Sequence, residues 1–158
     1  MNIGLNYFLF YKRNQKKQQK NQNQFIKETE MDQMVIHFGI NVMSGYIFGG
    51  YSPCQWQQNK NNYVQDDTLS SFLFSQTHDQ IYPLKQDQKC HAIYCNSGYG
   101  PTFGGGHDIQ ITSDFKDGYS KLGHSYQWDK YENKYSTNLF GQDKPNISEC
   151  EIFELKFV

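Results

Sequence analysis

The segment Tyr99-Gly100-Pro101-Thr102-Phe103-Gly104-Gly105-Gly106-His107-Asp108-Ile109 decides how the whole sequence is interpreted. Three consecutive glycines separate an aromatic residue from a histidine and an aspartate, and alternating Ile109 and Ile111 follow. Alternation is typical of a strand with one buried and one solvent-facing side. Glycine allows positive φ angles and close approach of a neighbouring strand or aromatic ring. The segment therefore predicts a tightly packed glycine turn leading into a half-buried strand.

Short apolar runs rich in β-branched and aromatic residues flank this segment and predict further strands. They occupy residues 34–38, 46–51, 71–75, 90–95 and 150–158. The first two predict a hairpin with a turn at 41–45, and the Gly49-Gly50 pair predicts a bulge or a close backbone approach. Residues 77–89 predict a loop with Ile81, Tyr82 and Leu84 pointing inward. No helical period follows Asp32, so the pattern indicates a two-sheet β-sandwich or a curled sheet.

Composition supports a strand-rich fold and argues against nucleic-acid binding by the folded part. The 158 residues fit one domain, and 12 Phe and 12 Tyr offset a hydrophobic content of only 37%. Residues 12–24 contain only Lys, Arg, Asn and Gln, which predicts a disordered basic tail or a contact with a membrane surface or RNA. Residues 25–158 carry ten basic and sixteen acidic residues, so we expect no nucleic-acid binding by the folded part.

The first eleven residues are apolar and aromatic, but this run is too short to span a bilayer. It also lacks the charged start and cleavage site of a signal peptide, so we expect neither a transmembrane segment nor secretion. The four cysteines are therefore expected to be reduced. Cys90 and Cys95, with His91 between them and His107 later, offer only a loose zinc pattern, because structural zinc sites use tighter paired spacings. We expect no metal and no cofactor.

The order of these segments resembles the TLDc domain family. The matching segments are Ile47–Tyr51 with Trp56, Asp67 with Ser71–Ser75, Ala92–Tyr94 with Tyr99–Ile109, Leu122–Tyr126, and Glu149–Phe153. The glycine-rich segment is the most specific of them. The resemblance covers residues 34–158 and implies a two-sheet β-sandwich with few short helices. Residues 1–33 do not resemble the family, so we expect a basic Asn/Gln-rich tail and a domain without the family's usual N-terminal part.

The resemblance also implies a function. TLDc proteins are associated with resistance to oxidative stress and with binding to the vacuolar proton-pumping ATPase, and the fold brings no accepted catalytic mechanism or cofactor. We therefore expect a non-catalytic protein-interaction module in the cytoplasm, peripheral at endolysosomal or vacuolar membranes. Two groups of residues are the candidate partner-binding surface. They are Gly104, Gly105, Gly106, His107 and Asp108 in the glycine segment, and Glu149 and Glu151 near the C-terminus.

Each candidate also has a structural interpretation. The glycines either cradle an anion with backbone N–H groups or make room for close packing. His107 is expected to bond a backbone carbonyl or a carboxylate and so fix the turn. Glu149 and Glu151 share one face of a strand, where they are solvated, ion-paired or in contact with a basic partner. Asp66 and Asp67 either cap a turn or ligate a cation.

A further set of residues is expected to have purely structural roles in the core. It comprises Gly49, Gly50, Trp56, Phe72, Phe74, Phe103, Tyr126 and Phe153.

The rival hypothesis is an enzyme. A hydrolase or thiol-dependent redox enzyme would use His107, His124 and a cysteine placed within hydrogen-bond reach of one another. A peroxide scavenger would use Cys90 or Cys95, and that thiol would need solvent access and a lowered pKa.

Overall fold

Two antiparallel five-stranded sheets make up the computed structural model, which describes residues 36–42, 45–57, 60–128, 139–142 and 144–154. The predicted tail, residues 1–33, lies outside the described residues. A 3₁₀ helix spans Gln86–His91. The strands are β1 Ile36–Val42, β2 Ile47–Ser52, β3 Asn62–Val64, β4 Phe72–Ser75, β5 Gln80–Pro83, β6 Ile93–Cys95, β7 Tyr99–Phe103, β8 Ile109–Thr112, β9 Gly118–Ser120 and β10 Ile147–Glu154.

The first sheet has the strand order β10-β1-β2-β4-β5, and the second has the order β3-β6-β7-β8-β9. The predicted hairpin is confirmed, since β1 pairs antiparallel with β2. The predicted turn at 41–45 starts too early, because β1 continues to Val42 while pairing with strands on both sides. The prediction of a mainly β, two-sheet sandwich is confirmed.

The region from residue 77 to residue 95 differs most from the sequence prediction. The predicted loop contains β5 and the 3₁₀ helix, so the next strand begins only at Ile93. Tyr82 and Leu84 are buried, whereas Ile81 is 50% exposed. The reason is strand alternation, which points Ile81 to the opposite face from Tyr82.

Gly50 of β2 lies directly against Phe103 of the second sheet. A Cβ atom placed on Gly50 would lie 2.8 Å from Cδ2 of Leu73 and 2.9 Å from Cζ of Phe103. Pairing of β2 with β1 and β4 continues without a shift through Gly49 and Gly50. The glycine pair therefore marks a close approach and not a bulge.

Phe103 lies at the centre of the core and is fully buried. Its ring contacts Trp56 edge-on at 5.3 Å and Tyr126 edge-on at 6.0 Å between centroids. Phe48 of the first sheet packs against Phe140 at 4.7 Å. These aromatic contacts join elements that lie far apart in the sequence.

Phe72 and Phe74 do not lie in this inter-sheet core. Leu73 faces inward between them, so alternation places both phenylalanines on the outer face of the first sheet. Phe74 is only 7% exposed, while Phe72 is partly exposed and stacks on Tyr51 at 5.1 Å. The side chain of Phe153 lies outside the described residues.

The turn before β4 is organised by Asp66, which is only 2% exposed. Its carboxylate accepts hydrogen bonds from the backbone N–H groups of Thr68 and Ser71, at 2.9 and 2.8 Å, and from the hydroxyls of both residues. Burial alone would raise the pKa of Asp66, but these hydrogen bonds outweigh burial and lower it. Asp67 is exposed and pairs with Lys89 at 2.9 Å. Asp66 is thus a turn cap.

Replacing Asp66 with Asn should lower the free energy of unfolding by about 1.5–3 kcal/mol at pH 7, because hydrogen bonds to a buried charged group are lost. The contribution of Asp66 is present above the carboxyl's unfolded pKa and disappears as the pH falls through its lowered folded pKa. Urea denaturation of both proteins from pH 7 to pH 2 tests this. D67N is the matched control and should cost far less than D66N, because Asp67 is exposed and its ion pair with Lys89 contributes little. Equal stability of D66N and the unmodified protein at pH 7 would contradict the assignment.

Candidate functional site

The glycine segment forms the turn between β7 and β8. Gly104 has φ +84° and His107 has φ +53°, and the His107 N–H donates to the Gly104 carbonyl at 3.0 Å. The Gly104 N–H donates to the Ala92 carbonyl at 3.2 Å, and the Gly105 N–H donates to Oγ of Ser125 at 2.8 Å. Because these three N–H groups are bonded within the protein, they are not available to an anion.

Asp108, at the end of this turn, is fully buried. Its carboxylate accepts hydrogen bonds from the backbone N–H groups of Gly123, His124 and Ser125 at 2.8 Å and of Tyr126 at 3.3 Å. Burial raises the pKa of this carboxyl, and the four N–H donors oppose the rise. Asp108 was expected at a partner-binding surface; instead its carboxylate is enclosed and fastens residues 123–126 to the turn.

Gly104 is required by this arrangement. A Cβ atom at position 104 would overlap Oδ2 of Asp108, and the positive φ of Gly104 already disfavours any other residue. Of the two interpretations of the glycines, the structure favours close packing.

The loop held by Asp108 contacts both sheets. The Tyr126 hydroxyl donates to the Ala92 carbonyl beside β6 at 2.6 Å, and Tyr126 also forms a bridge with Leu84, directly after β5. The Lys85 N–H donates to the Ser125 carbonyl at 2.9 Å. The aspartate after the glycine turn therefore stabilises the loop that links the two layers.

His107 itself lies on the outer side of the second sheet. Its Nδ1 is 2.8 Å from the Tyr119 hydroxyl and 3.2 Å from Oε1 of Gln110. The prediction that His107 bonds a backbone carbonyl or a carboxylate was wrong. Gln110 of β8 and Tyr119 of β9 are paired neighbours, and their side chains contact the imidazole. Burial lowers the pKa of His107, the charge of Lys121 lowers it further, and the Gln110 hydrogen bond acts in the opposite direction.

Four tyrosines surround His107 or adjoin its neighbours, and all are partly exposed. We call Tyr63, Tyr94, Tyr99, His107 and Tyr119 the tyrosine–histidine surface. The ring of His107 lies 5.3 Å from Tyr94, 5.8 Å from Tyr99 and 6.2 Å from Tyr119 between centroids. Tyr63 lies 4.8 Å from Tyr94, and its hydroxyl donates to the Gly105 carbonyl at 2.9 Å.

Sequence reasoning missed these tyrosines. One sign of their position was visible in the sequence. Because Tyr94 lies between the inward-facing Ile93 and Cys95, strand alternation points it to the outer face. The pairing of Tyr63 with Tyr94 across β3 and β6 depends on a register that no local pattern shows.

Two further histidines border the glycine turn. A Cβ atom on Gly105 would lie 3.1 Å from Cγ of His91, and one on Gly106 would overlap the ring of His124. His91 also contacts Tyr63 edge-on at 4.7 Å. Across the described parts of the chain, no group of three or more His, Cys, Asp or Glu side chains is arranged to hold a metal ion.

One thiol of the described residues, that of Cys90, lies beside an imidazole. It is exposed, and its Sγ is 3.3 Å from Nδ1 of His91, not of His107 or His124. Cys54 and Cys95 are buried, and burial raises the pKa of Cys54 to about 11 and also raises the pKa of Cys95. Cys95 therefore lacks both the access and the lowered pKa that a reactive thiol requires.

Glu149 and Glu151 lie on β10, the edge strand of the first sheet, opposite Asn41 and Gly39 of β1. Glu149 is partly buried, and the side chain of Glu151 lies outside the described residues. The glycine turn belongs to the second sheet, so the two groups of candidate residues lie on different sheets.

Comparison with known proteins identifies the family. A family model of the TLDc domain matches residues 5–156. The chain belongs to the TLDc domain family. No curated protein matches the chain. The family match begins upstream of residue 34, the predicted start of the TLDc-like region. The division of the chain between residues 33 and 34 stays a prediction. A TLDc domain suggests a protein-interaction module. Within the described residues, no helix has the length and apolar content needed to cross a bilayer.

Acidification should lower the free energy of unfolding of this TLDc domain, in part because His107 becomes protonated on unfolding. Because the folded pKa is lowered, the unfolded chain binds the proton more readily, so stability falls as the pH drops below the unfolded pKa of about 6.5. The variant H107N retains a residue that tolerates positive φ and should show a shallower loss of unfolding free energy between pH 7 and pH 5. Urea denaturation measures the slope, with H78N as the control. An unchanged slope in H107N would refute the assignment.

Proposed function

We propose that this TLDc chain is a non-catalytic protein-interaction module that binds the vacuolar proton-pumping ATPase and acts in the oxidative-stress response. Family membership supports the partner and the process, because both are associated with TLDc proteins. The observation that carries the interaction role is the tyrosine–histidine surface. Tyrosine is enriched at protein interfaces, where its ring buries area and its hydroxyl bonds polar groups.

The proposed contacts centre on the glycine turn. Gly105, Gly106 and His107 are partly exposed beside the tyrosine rings, whereas Gly104 is buried and shapes the turn. Asp108 supports the turn from within. Glu149 and Glu151 on β10 form a second proposed contact, in which carboxylates meet a basic partner surface. The module would work in the cytoplasm, peripherally at endolysosomal or vacuolar membranes.

Binding of the full chain to the purified vacuolar ATPase, measured by biolayer interferometry, tests this proposal. We expect saturable binding that E149K weakens at least fivefold, because the substitution reverses a charge at the proposed acidic contact. D87K is the matched control, since Asp87 is an exposed acidic residue in the 3₁₀ helix. Absence of binding by the unmodified chain would reject the ATPase as partner. Equal binding by E149K would reject the β10 contact.

The rival thiol-dependent enzyme keeps one specific observation in its favour, the contact between the exposed Cys90 and His91. An exposed thiol beside an imidazole is the arrangement in which a cysteine gains nucleophilicity. His107 contacts Tyr119 and Gln110 and so does not supply this pairing.

Reaction with an aromatic disulfide reagent at pH 8 should distinguish the thiols. We expect C90S to remove the fastest-reacting thiol, while Cys54 and Cys95 react only after unfolding because they are buried with raised pKa values. Peroxide consumption is measured on the same proteins, with C95S as the control. Turnover that C90S abolishes and C95S preserves would favour the enzyme over the interaction module.

A further inference from the structure

We propose that the tyrosine–histidine surface binds an extended acidic segment of a partner protein. This inference rests on the proposed interaction role and names the chemistry of the partner at that site. Three features of the second sheet support it: the continuity of the rings, the sign of the charges that border them, and the contacts that already hold the rings in place.

The rings form a continuous row across the sheet. Tyr63 on β3, Tyr94 on β6, His107 in the turn and Tyr119 on β9 follow one another at centroid distances of 4.8, 5.3 and 6.2 Å. Five strands at about 4.8 Å spacing span about 19 Å, which an extended segment of roughly six residues covers. A row of this shape fits an extended chain better than a compact small molecule.

A lysine cation borders the row, and two imidazoles lie beside the glycine turn. Nζ of Lys121 lies 5.6 Å from the centre of the Tyr119 ring, and His91 and His124 border the glycine turn beside His107. The ion pairs of the described residues, Lys89–Asp67 and Lys144–Asp117, include neither Lys121 nor the rings.

The remainder of the domain has the opposite sign. Residues 25–158 carry ten basic and sixteen acidic residues, so most of the domain would repel an acidic segment. Charge complementarity steers association and selects among partners. It therefore favours an acidic segment at the row of rings, where the Lys121 cation lies over Tyr119.

The rings are already held by contacts within the domain. The Tyr63 hydroxyl donates to the Gly105 carbonyl, and the Tyr119 hydroxyl is 2.8 Å from Nδ1 of His107. Side chains fixed before binding lose little conformational entropy when a partner docks. The surface can therefore bind a flexible segment without first reorganising itself.

Fluorescence anisotropy with the full chain tests the proposal. The probe is a labelled 12-residue peptide in which Glu alternates with Phe or Leu, and two comparison peptides carry Lys in place of Glu or Ser in place of the apolar residues. We expect the Glu–Phe/Leu peptide to bind best and to weaken with added salt. K121E should weaken its binding at least tenfold, and Y94S should do the same if circular dichroism shows a folded protein.

The matched controls are K144E, an exposed lysine paired with Asp117, and Y51S, a tyrosine on the outer face of the first sheet. Both should bind the peptide as the unmodified chain does. Equal binding of the Lys peptide, or full binding by K121E, would overturn the proposal. If the peptide binds as expected and the vacuolar ATPase does not, only the proposed partner fails. If the ATPase binds K121E with unchanged affinity, the acidic-segment surface fails and the proposed function stands.

Discussion

The packing of Phe103 against Gly50 sets the distance between the two sheets. No Cβ fits at position 50, since Leu73 and the Phe103 ring already occupy that space. Stacked sheets ordinarily lie about 10 Å apart, and a glycine opposite a large ring is one way to fill that gap without a void. Trp56 and Tyr126 then pack around the same ring. Because all these contacts are buried, a change at this point affects both layers together.

The glycine turn connects this core to the outer surface. Phe103 ends β7 and points inward, while His107, four residues later, lies outside among the tyrosines. Between them Gly104 adopts a positive φ and leaves room for the Asp108 carboxylate, which binds four backbone N–H groups of the 123–126 loop. The residues that give this TLDc domain its stability thus also position the rings of the proposed docking surface.

Local patterns in the sequence predicted the strands and, at Gly49-Gly50, either a bulge or a close approach, because these depend on short-range periodicity and on the absence of a side chain. They could not place Asp108, whose N–H donors lie fifteen to eighteen residues away. They also missed the tyrosine surface, because Tyr63 meets Tyr94 only through strand register. Phe72 and Phe74 were expected in the core, and alternation about Leu73 places both on the outer face of the first sheet. Phe74 is nevertheless buried there, whereas Phe72 is partly exposed.

A double-mutant cycle between Gly50 and Phe103 tests the central claim most directly. The free energy of unfolding is measured by urea denaturation for the unmodified chain, G50A, F103L and the double variant. Overpacking of a filled core costs about 1–3 kcal/mol, so G50A should be destabilised by that amount in the presence of Phe103. In the F103L background, the ring atoms 2.9 and 3.1 Å from that Cβ are absent, while Cδ2 of Leu73 at 2.8 Å remains. The cost of G50A should therefore be clearly smaller there, although it does not vanish. Equal costs in the two backgrounds would show that Phe103 does not set the spacing of the sheets.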